Sequence, residues 1–570
     1  MNGQEALHQL LATEQDRLRA GVPADRSRAL AALVRARDAV YLTDEYARDL
    51  APPADTEDQA HLYRLGWNRA LELCFADAPG GAGNALYPGG ENLEAWADAM
   101  LRACGRLGEA ELVLARCETG YLQLQQRGED TFAAWVATRR MPTEWRERED
   151  FAWWTTVLAR QSAPELDELQ AAWSAMQRRL SALVPCPAAP SDLAATDPAI
   201  DGYYRRLGSL YAMRMANQSS YPDDAAIGGV TFRLYRDLLG LLIGWLLKYL
   251  DLGGVTGEEH DGATELRPIL ATSQPEARLV EALAAALAVD ETPVREALRS
   301  CTLDRENAAY HGALPGGPAP PFVRLDGDHL LWSAAGLLTT PFLFATRELK
   351  RRHAQEFHNA AHLREGVFRD DLYGLFTDKR FVKSASTVEL KRAGGGARTD
   401  LDALVFDRKT GTLGIFELKA QDPFARSTAE RRRQRDNFYH ANAQVSAVAQ
   451  WLQRNGATDL LARYDARAAK TFKVQRVLLF VLGRYLAHFA DGPEPDRRAA
   501  WGTWPQVLRL VGERPFGPSD PNPLGALHDR LAKDTPLVRP DAEQGVREIA
   551  LGAGRILVYP SFAAYRDDVG

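Results

Sequence analysis

Apolar residues recur through the first 190 positions at three- and four-residue spacing, as in Leu10, Leu11 and Leu18 and again in Leu30, Leu33 and Val34. Side chains three or four apart share one face of an α-helix, so this period predicts helix after helix. Pro52-Pro53 and the stretch from Pro79 to Gly90 interrupt it as loops. Trp67, Trp96, Trp135, Trp145, Trp153, Trp154 and Trp173 fit bulky packing between helices, with a base-stacking platform as the alternative. Pro185 to Asp197 reads as a first boundary. Helices then resume through Tyr249, a Gly- and acid-rich loop follows from Gly253 to Gly262, and helical spacing returns from Glu276 to Leu303. The Gly- and Pro-rich segment from Gly312 to Pro321 is the most linker-like stretch. Two apolar runs, Leu238 to Leu247 and Leu330 to Ala345, are too short or too interrupted to span a bilayer and read as buried helices.

Beyond residue 321 the period changes. Pro321 to Trp332 reads as a short hairpin, followed by a helix ending in the basic sequence RELKRRH and a second helix from Ala354 to Phe376. Strand patterns cover Val382 to Leu390, Leu401 to Phe406 and Leu413 to Leu418. An Arg-rich helix follows from Ala425 to Gln453, then a β-branched strand from Val474 to Gly483. The tail carries a helix near Trp504 to Leu510 and a closing hairpin, REIALGAGRILVYP, read as an extension of the same unit. The expectation is a multidomain chain. A largely α-helical N-terminal region, divided into 1–190 and 191–320, precedes an α/β domain at 321–570 with a mixed central sheet flanked by helices.

Composition narrows the options. With 69 Lys and Arg against 76 Asp and Glu, the net charge is -7, so a polyanion would have to meet a local basic patch. Five cysteines without a CxxC pair exclude the usual zinc ribbon and fit a reducing compartment. The N-terminal stretch lacks the pattern of a secretory signal, and the expected location is cytoplasmic with no membrane partner. No GxxxxGK[ST] loop is present, which argues against an intrinsic ATP motor.

The candidate chemistry lies between Thr399 and Phe424. Glu-Leu-Lys occurs three times, at Glu348, Glu389 and Glu417, and the tripeptide is uninformative by itself. The first sits in a basic helical pattern that fits a solvated face, and the second ends a polar strand. Only the third follows an apolar strand start (Leu413, Ile415, Phe416) and faces a second acidic strand across a turn containing Gly411. Alternation puts Glu417 and Lys419 on one face, as it does Asp400 and Asp402. In one of the two simple registers Asp402 faces Glu417, and both carboxylates could hold one Mg²⁺; a slip of one residue would part them. His358 and His362 stand one helical turn apart, but with no HExxH pattern a solvated face explains them better.

The order helix, three strands, helix, strand, with LDALVFD on one strand and GIFELKA on the next, resembles the PD-(D/E)XK nuclease superfamily over Ala360 to Gly483. Leu401 stands where the pattern has a proline. The resemblance implies a restriction-endonuclease-like fold and a DNA endonuclease using Mg²⁺, with Mn²⁺ as a substitute. It assigns the metal to Asp402 and Glu417, adds the Leu418 carbonyl, and makes Lys419 the residue that orients the attacking water. It also implies a helix acid, for which Glu365 fits best with Asp370 and Asp371 as rivals, and a glutamine matched by Gln444. Arg426, Arg431, Arg432, Arg433 and Arg435 would pin phosphates, with Phe438 or Tyr439 stacking on a base. Lys391, Arg392 and Arg398 around the Gly394 to Gly396 loop would form a second rim. The helical region would recruit, sense or regulate, through a protein partner or a second copy, in restriction, repair or anti-phage defence. The alternative is a nuclease-like nucleic-acid-binding scaffold without activity.

Overall fold

A computed structural model describes residues 3–46, 54–75, 90–137, 153–154, 157, 163–182, 189–216, 221–258, 270–325, 328–391, 397–422, 427–487, 494–512, 514–533 and 545–569. Pro52-Pro53, the loop at 79–89, Trp145, Cys186, Arg392, the Gly394 to Gly396 loop and Arg426 lie outside them. The N-terminal region is mainly helical, as expected, with helices Gly3–Ala20, Arg26–Val40, Ala54–Phe75 and Glu91–Glu118 around one core. Helices Pro198–Ala216 and Phe232–Glu258 centre a second core. The latter helix takes in Leu238 to Leu247 and runs on past Gly253, where a loop was expected. Its Gly240 and Gly244 allow a close crossing with the helix Pro198–Ala216: a Cβ on Gly208 would lie 2.1 Å from the Gly240 carbonyl oxygen. No helix among the described residues is long and apolar enough to cross a membrane.

The run from Leu330 to Ala345 is part strand, His329–Trp332, and only then helix. A hairpin, Leu122–Gln126 with Thr131–Val136, interrupts the expected helices. Trp135 is therefore a strand residue, stacked on Tyr565 with ring centroids 4.5 Å apart. Its sheet is completed by the closing hairpin, Arg547–Leu551 and Gly554–Tyr559, which pairs in parallel with Thr131–Val136. The closing hairpin thus joins the N-terminal region, whereas Ala499–Thr503 and the helices Trp504–Val511 and Pro523–Lys533 extend the α/β unit as expected. The segment Gly312 to Pro321 is packed, not linker-like: the Asn68 side chain donates to the Pro318 carbonyl at 3.1 Å. The hairpin after it shares a four-stranded sheet with Ser273–Pro275 and Thr302–Leu303. Asp38, nearly fully buried, caps the turn beyond by accepting from the N–H groups of Ala334 and Ala335 at 2.7 and 2.8 Å.

The C-terminal elements are labelled in chain order. Helix α1 is Pro341–Arg352 and α2 is Ala354–Gly374. Strands follow as β1 (Phe381–Lys383), β2 (Val388–Lys391), β3 (Ala397–Leu401), β4 (Ala403–Asp407) and β5 (Thr412–Lys419). Helix α3 is Thr428–Asn455, then come β6 (Arg476–Gly483) and β7 (Ala499–Thr503). The strand expected over Val382 to Leu390 divides into β1 and β2, and β2 pairs with β3 as a separate two-stranded ribbon. The strand expected from Leu401 is cut at Asp402, a bend between β3 and β4.

The main sheet has the order β7-β6-β5-β4-β1, with β5, β6 and β7 parallel and β4 antiparallel to both neighbours. Period-two alternation gives it two apolar faces, each covered by helices. Leu404, Phe406, Leu413 and Ile415 pack on Phe438, Ala441, Val445 and Val448 of α3. Ala403, Val405, Phe416 and Leu418 pack on Phe368 and Leu372 of α2. Phe416 is fully buried and stacks on Phe480 at 4.4 Å between centroids, a contact whose loss to Ala would cost about 3–5 kcal/mol.

Candidate active site

The β4–β5 hairpin is held at its turn end by Asp407. This fully buried carboxylate accepts from Arg380 Nε at 2.8 Å and Nη2 at 2.6 Å, and from the Thr410 hydroxyl at 2.8 Å. Burial works against its charge, but these donors outweigh it and hold the carboxyl below the usual range. Gly411 turns the chain with φ at +65°, and a Cβ there would lie 2.9 Å from the Lys473 carbonyl oxygen.

Ala403 pairs with Phe416 and Leu404 with Ile415. One further step of that register sets Asp402 opposite Glu417, so the register that would part the two carboxylates does not occur. Asp402 Oδ2 accepts the N–H of Leu418 at 2.7 Å, which ties the bend to β5. Glu417 is 7% exposed and is ion-paired with Lys419 two residues on. Lys419 Nζ also donates to Gln444 Oε1 of α3 at 3.3 Å. Four residues expected together therefore do come together: Asp402, Glu417, Lys419 and Gln444.

Electrostatics follow from the crowding. Burial, with the charge of Asp402 added, raises the Glu417 carboxyl against the opposing pull of Lys419. Asp402 is raised by burial too, while the Leu418 N–H and Lys419 act the other way. Burial disfavours the Lys419 ammonium, but Glu417 and Asp402 outweigh it and raise its pKa. Glu365 on α2 remains open to solvent as a residue. The protein around its carboxyl, and next the charge of Asp402, push it up to about 7. Its rival Asp371 is engaged by Arg484 at 2.5 Å, and Asp370 is exposed.

Among the described residues no three Asp, Glu, His or Cys side chains converge closely enough to form a metal cage by themselves. His358 and His362 are exposed on α2, as a solvated face requires. The residues present nonetheless suit a hard dication. The donors are carboxylate oxygens, and both acids of the pair are raised by burial in a way that a cation would relieve. Mg²⁺ keeps several waters and needs only one or two carboxylates.

The other expected contacts divide. Arg431, Arg432 and Arg435 lie on the first two turns of α3, with Arg432 exposed. Phe438 is buried in the core beneath α3, so it cannot stack on a base, whereas Tyr439 is 48% exposed. Lys391 is exposed at the end of β2, and Arg398 is placed on β3 by its backbone. The Glu-Leu-Lys at Glu348 is not a solvated face: Glu348 is 1% exposed and accepts from Arg351 at 2.7 Å, with His311 at 3.2 Å. Sequence reasoning missed Arg369, whose charge favours ionised Asp402. Its position one turn after Glu365 on α2 was the available signal. No protein-family model matches the chain, and neither a curated protein nor a solved structure is significantly similar to it.

Proposed function

We infer that this chain is a Mg²⁺-dependent nuclease of PD-(D/E)XK type that hydrolyses phosphodiester bonds in DNA. The observation that carries this reading is the pairing of Ala403 with Phe416, because it brings two carboxylates and a lysine to one face where two interior strands meet. Asp402 and Glu417 would hold the metal, with Glu365 close enough in charge to add a water-bridged contact. Bound there, Mg²⁺ would lower the pKa of a coordinated water and offset charge on the phosphate. Lys419 carries its ammonium to the same face, where it would orient the attacking water and donate to the phosphate oxygen that gains charge. Gln444 fixes the direction of that ammonium through its hydrogen bond. The tilt of Lys419 toward Glu417 would open when the carboxylate turns to a cation. The helical region would select the target or receive a signal, a division of labour suited to restriction or anti-phage defence.

The test is cleavage of labelled single- and double-stranded DNA and RNA with Mg²⁺, Mn²⁺ or a chelator. DNA cleavage should need the metal and fall at least about a hundredfold in Glu417→Ala and in Lys419→Ala. Activity that persists in both variants would end this reading.

A further inference from the structure

Strand β5 ends at Lys419, in the candidate centre, and the chain runs straight on from it. Its next three residues, Ala420, Gln421 and Asp422, form one wall of a cavity of about 240 Å³ whose other walls come from α1, α2 and α3. Arg347 and Lys350 reach it from α1, Arg364 from α2 and Arg433 from α3. Against these four cations stand two carboxylates among the described lining residues, Asp422 and Glu430, leaving a net charge of +2. Both carboxylates have structural work. Glu430 closes the capping box with Ser427 at the start of α3 and accepts from Arg347 at 3.3 Å and Lys350 at 3.2 Å. Asp422 accepts from Arg364 at 2.6 Å.

Gln421 is the unexplained member. It is 8% exposed, and neither Nε2 nor Oε1 of its amide has a hydrogen-bond partner. A buried amide left unpaired in a cavity wall is costly unless something enters to meet it. The cations approach from three different helices, an arrangement that suits a tetrahedral group with oxygens in several directions better than a planar carboxylate. Leu343 and Phe357 give the cavity an apolar side.

We propose that this cavity binds a phosphate monoester, its dianion held by Arg347, Lys350, Arg364 and Arg433 and by the amide of Gln421. The site is separate from the hydrolytic centre: Gln434 at the cavity and Gln444 beside Lys419 are ten residues apart on α3, about 15 Å. It does not depend on hydrolysis at Glu417. The link between the two sites is the short run from Lys419 to Asp422, so the ligand would bear on the strand end that carries Lys419.

The phosphate belongs either to a free mononucleotide or to the 5′ end of a strand. Calorimetric titration of the full chain with AMP, inorganic phosphate, succinate, and oligonucleotides bearing 5′-phosphate or 5′-hydroxyl separates them. Either source supports the proposal if binding weakens about tenfold or more in Arg433→Ala and in Gln421→Leu, as expected for loss of one charge-assisted contact. The same binding should survive in Glu417→Ala. Binding of AMP assigns a free ligand, and binding confined to the 5′-phosphorylated strand assigns a strand end. Absence of binding by every phosphate ligand, indifference to both substitutions, or equal binding of succinate would overturn it.

Discussion

Glu365 and Glu417 are raised by the same neighbours in different settings. Glu417 is buried and must be matched by a cation to ionise cheaply, whereas Glu365 is solvent-accessible and its carboxyl is pushed up to about 7 by the protein around it. The sign of its contribution is fixed by that rise. Protonated Glu365 is favoured by the fold, so its stabilisation is complete below the ordinary value of 4.5 and is lost as pH rises through 7. Replacement by Gln should flatten the fall in unfolding free energy between about pH 5 and pH 8, by less than about 1 kcal/mol because the residue faces water. Mg²⁺ competes with those protons. It should raise the melting temperature more at about pH 8 than at about pH 6, and the gain should vanish in Glu417→Ala. An equal gain in that variant would place the metal elsewhere. Asp402 and Glu417 were legible in sequence because strand alternation fixes which side chains share a face, whereas Glu365, on a helix, rested on the resemblance alone. Gln421 and Arg364 were not, since a cavity wall assembled from four elements leaves no periodic trace.

The hairpin that presents the acids is a rigid element with a buried lock. Asp407→Ala would leave Arg380 without its buried partner and should cost about 3–5 kcal/mol, measured by denaturant unfolding. Gly411→Ala tests the turn separately. It should destabilise by more than about 1 kcal/mol, since its φ is positive and a Cβ would meet backbone. A neutral result for both would mean that the pairing of β4 and β5 does not rest on its turn. The two strands were readable from apolar alternation, as was α3 with its capping box at Ser427. The bend at Asp402 was not, because the run from Leu401 to Phe406 stays apolar on both sides of it and nothing local marks the break. The hairpin at 122–136 was hidden for a related reason: Gln-rich and Ala-rich strands mimic a helical composition, and the second partner of Thr131–Val136 lies more than 400 residues away.

At the scale of the molecule, composition misled where contacts are long-range. The Gly- and Pro-rich segment before residue 321 has the composition of a linker, yet its carbonyls and small residues are used for close packing against the helix Ala54–Phe75. Helices were legible throughout the N-terminal region because their period is local. Where the strands returned was not, because sheet partners are chosen by geometry that a single stretch does not encode. The parallel pairing of Gly554–Tyr559 with Thr131–Val136 has a consequence for synthesis. A ribosome delivers the chain from its N-terminus, so the strand at 131–136 emerges with one edge open and stays so until Gly554–Tyr559 has left the exit tunnel. The helical region therefore reaches its finished form only after β1 to β7 have all been made. A chain cut before Arg547 should retain that open edge, lose stability and aggregate on heating. Supplying the missing hairpin as a peptide should restore part of the lost melting temperature.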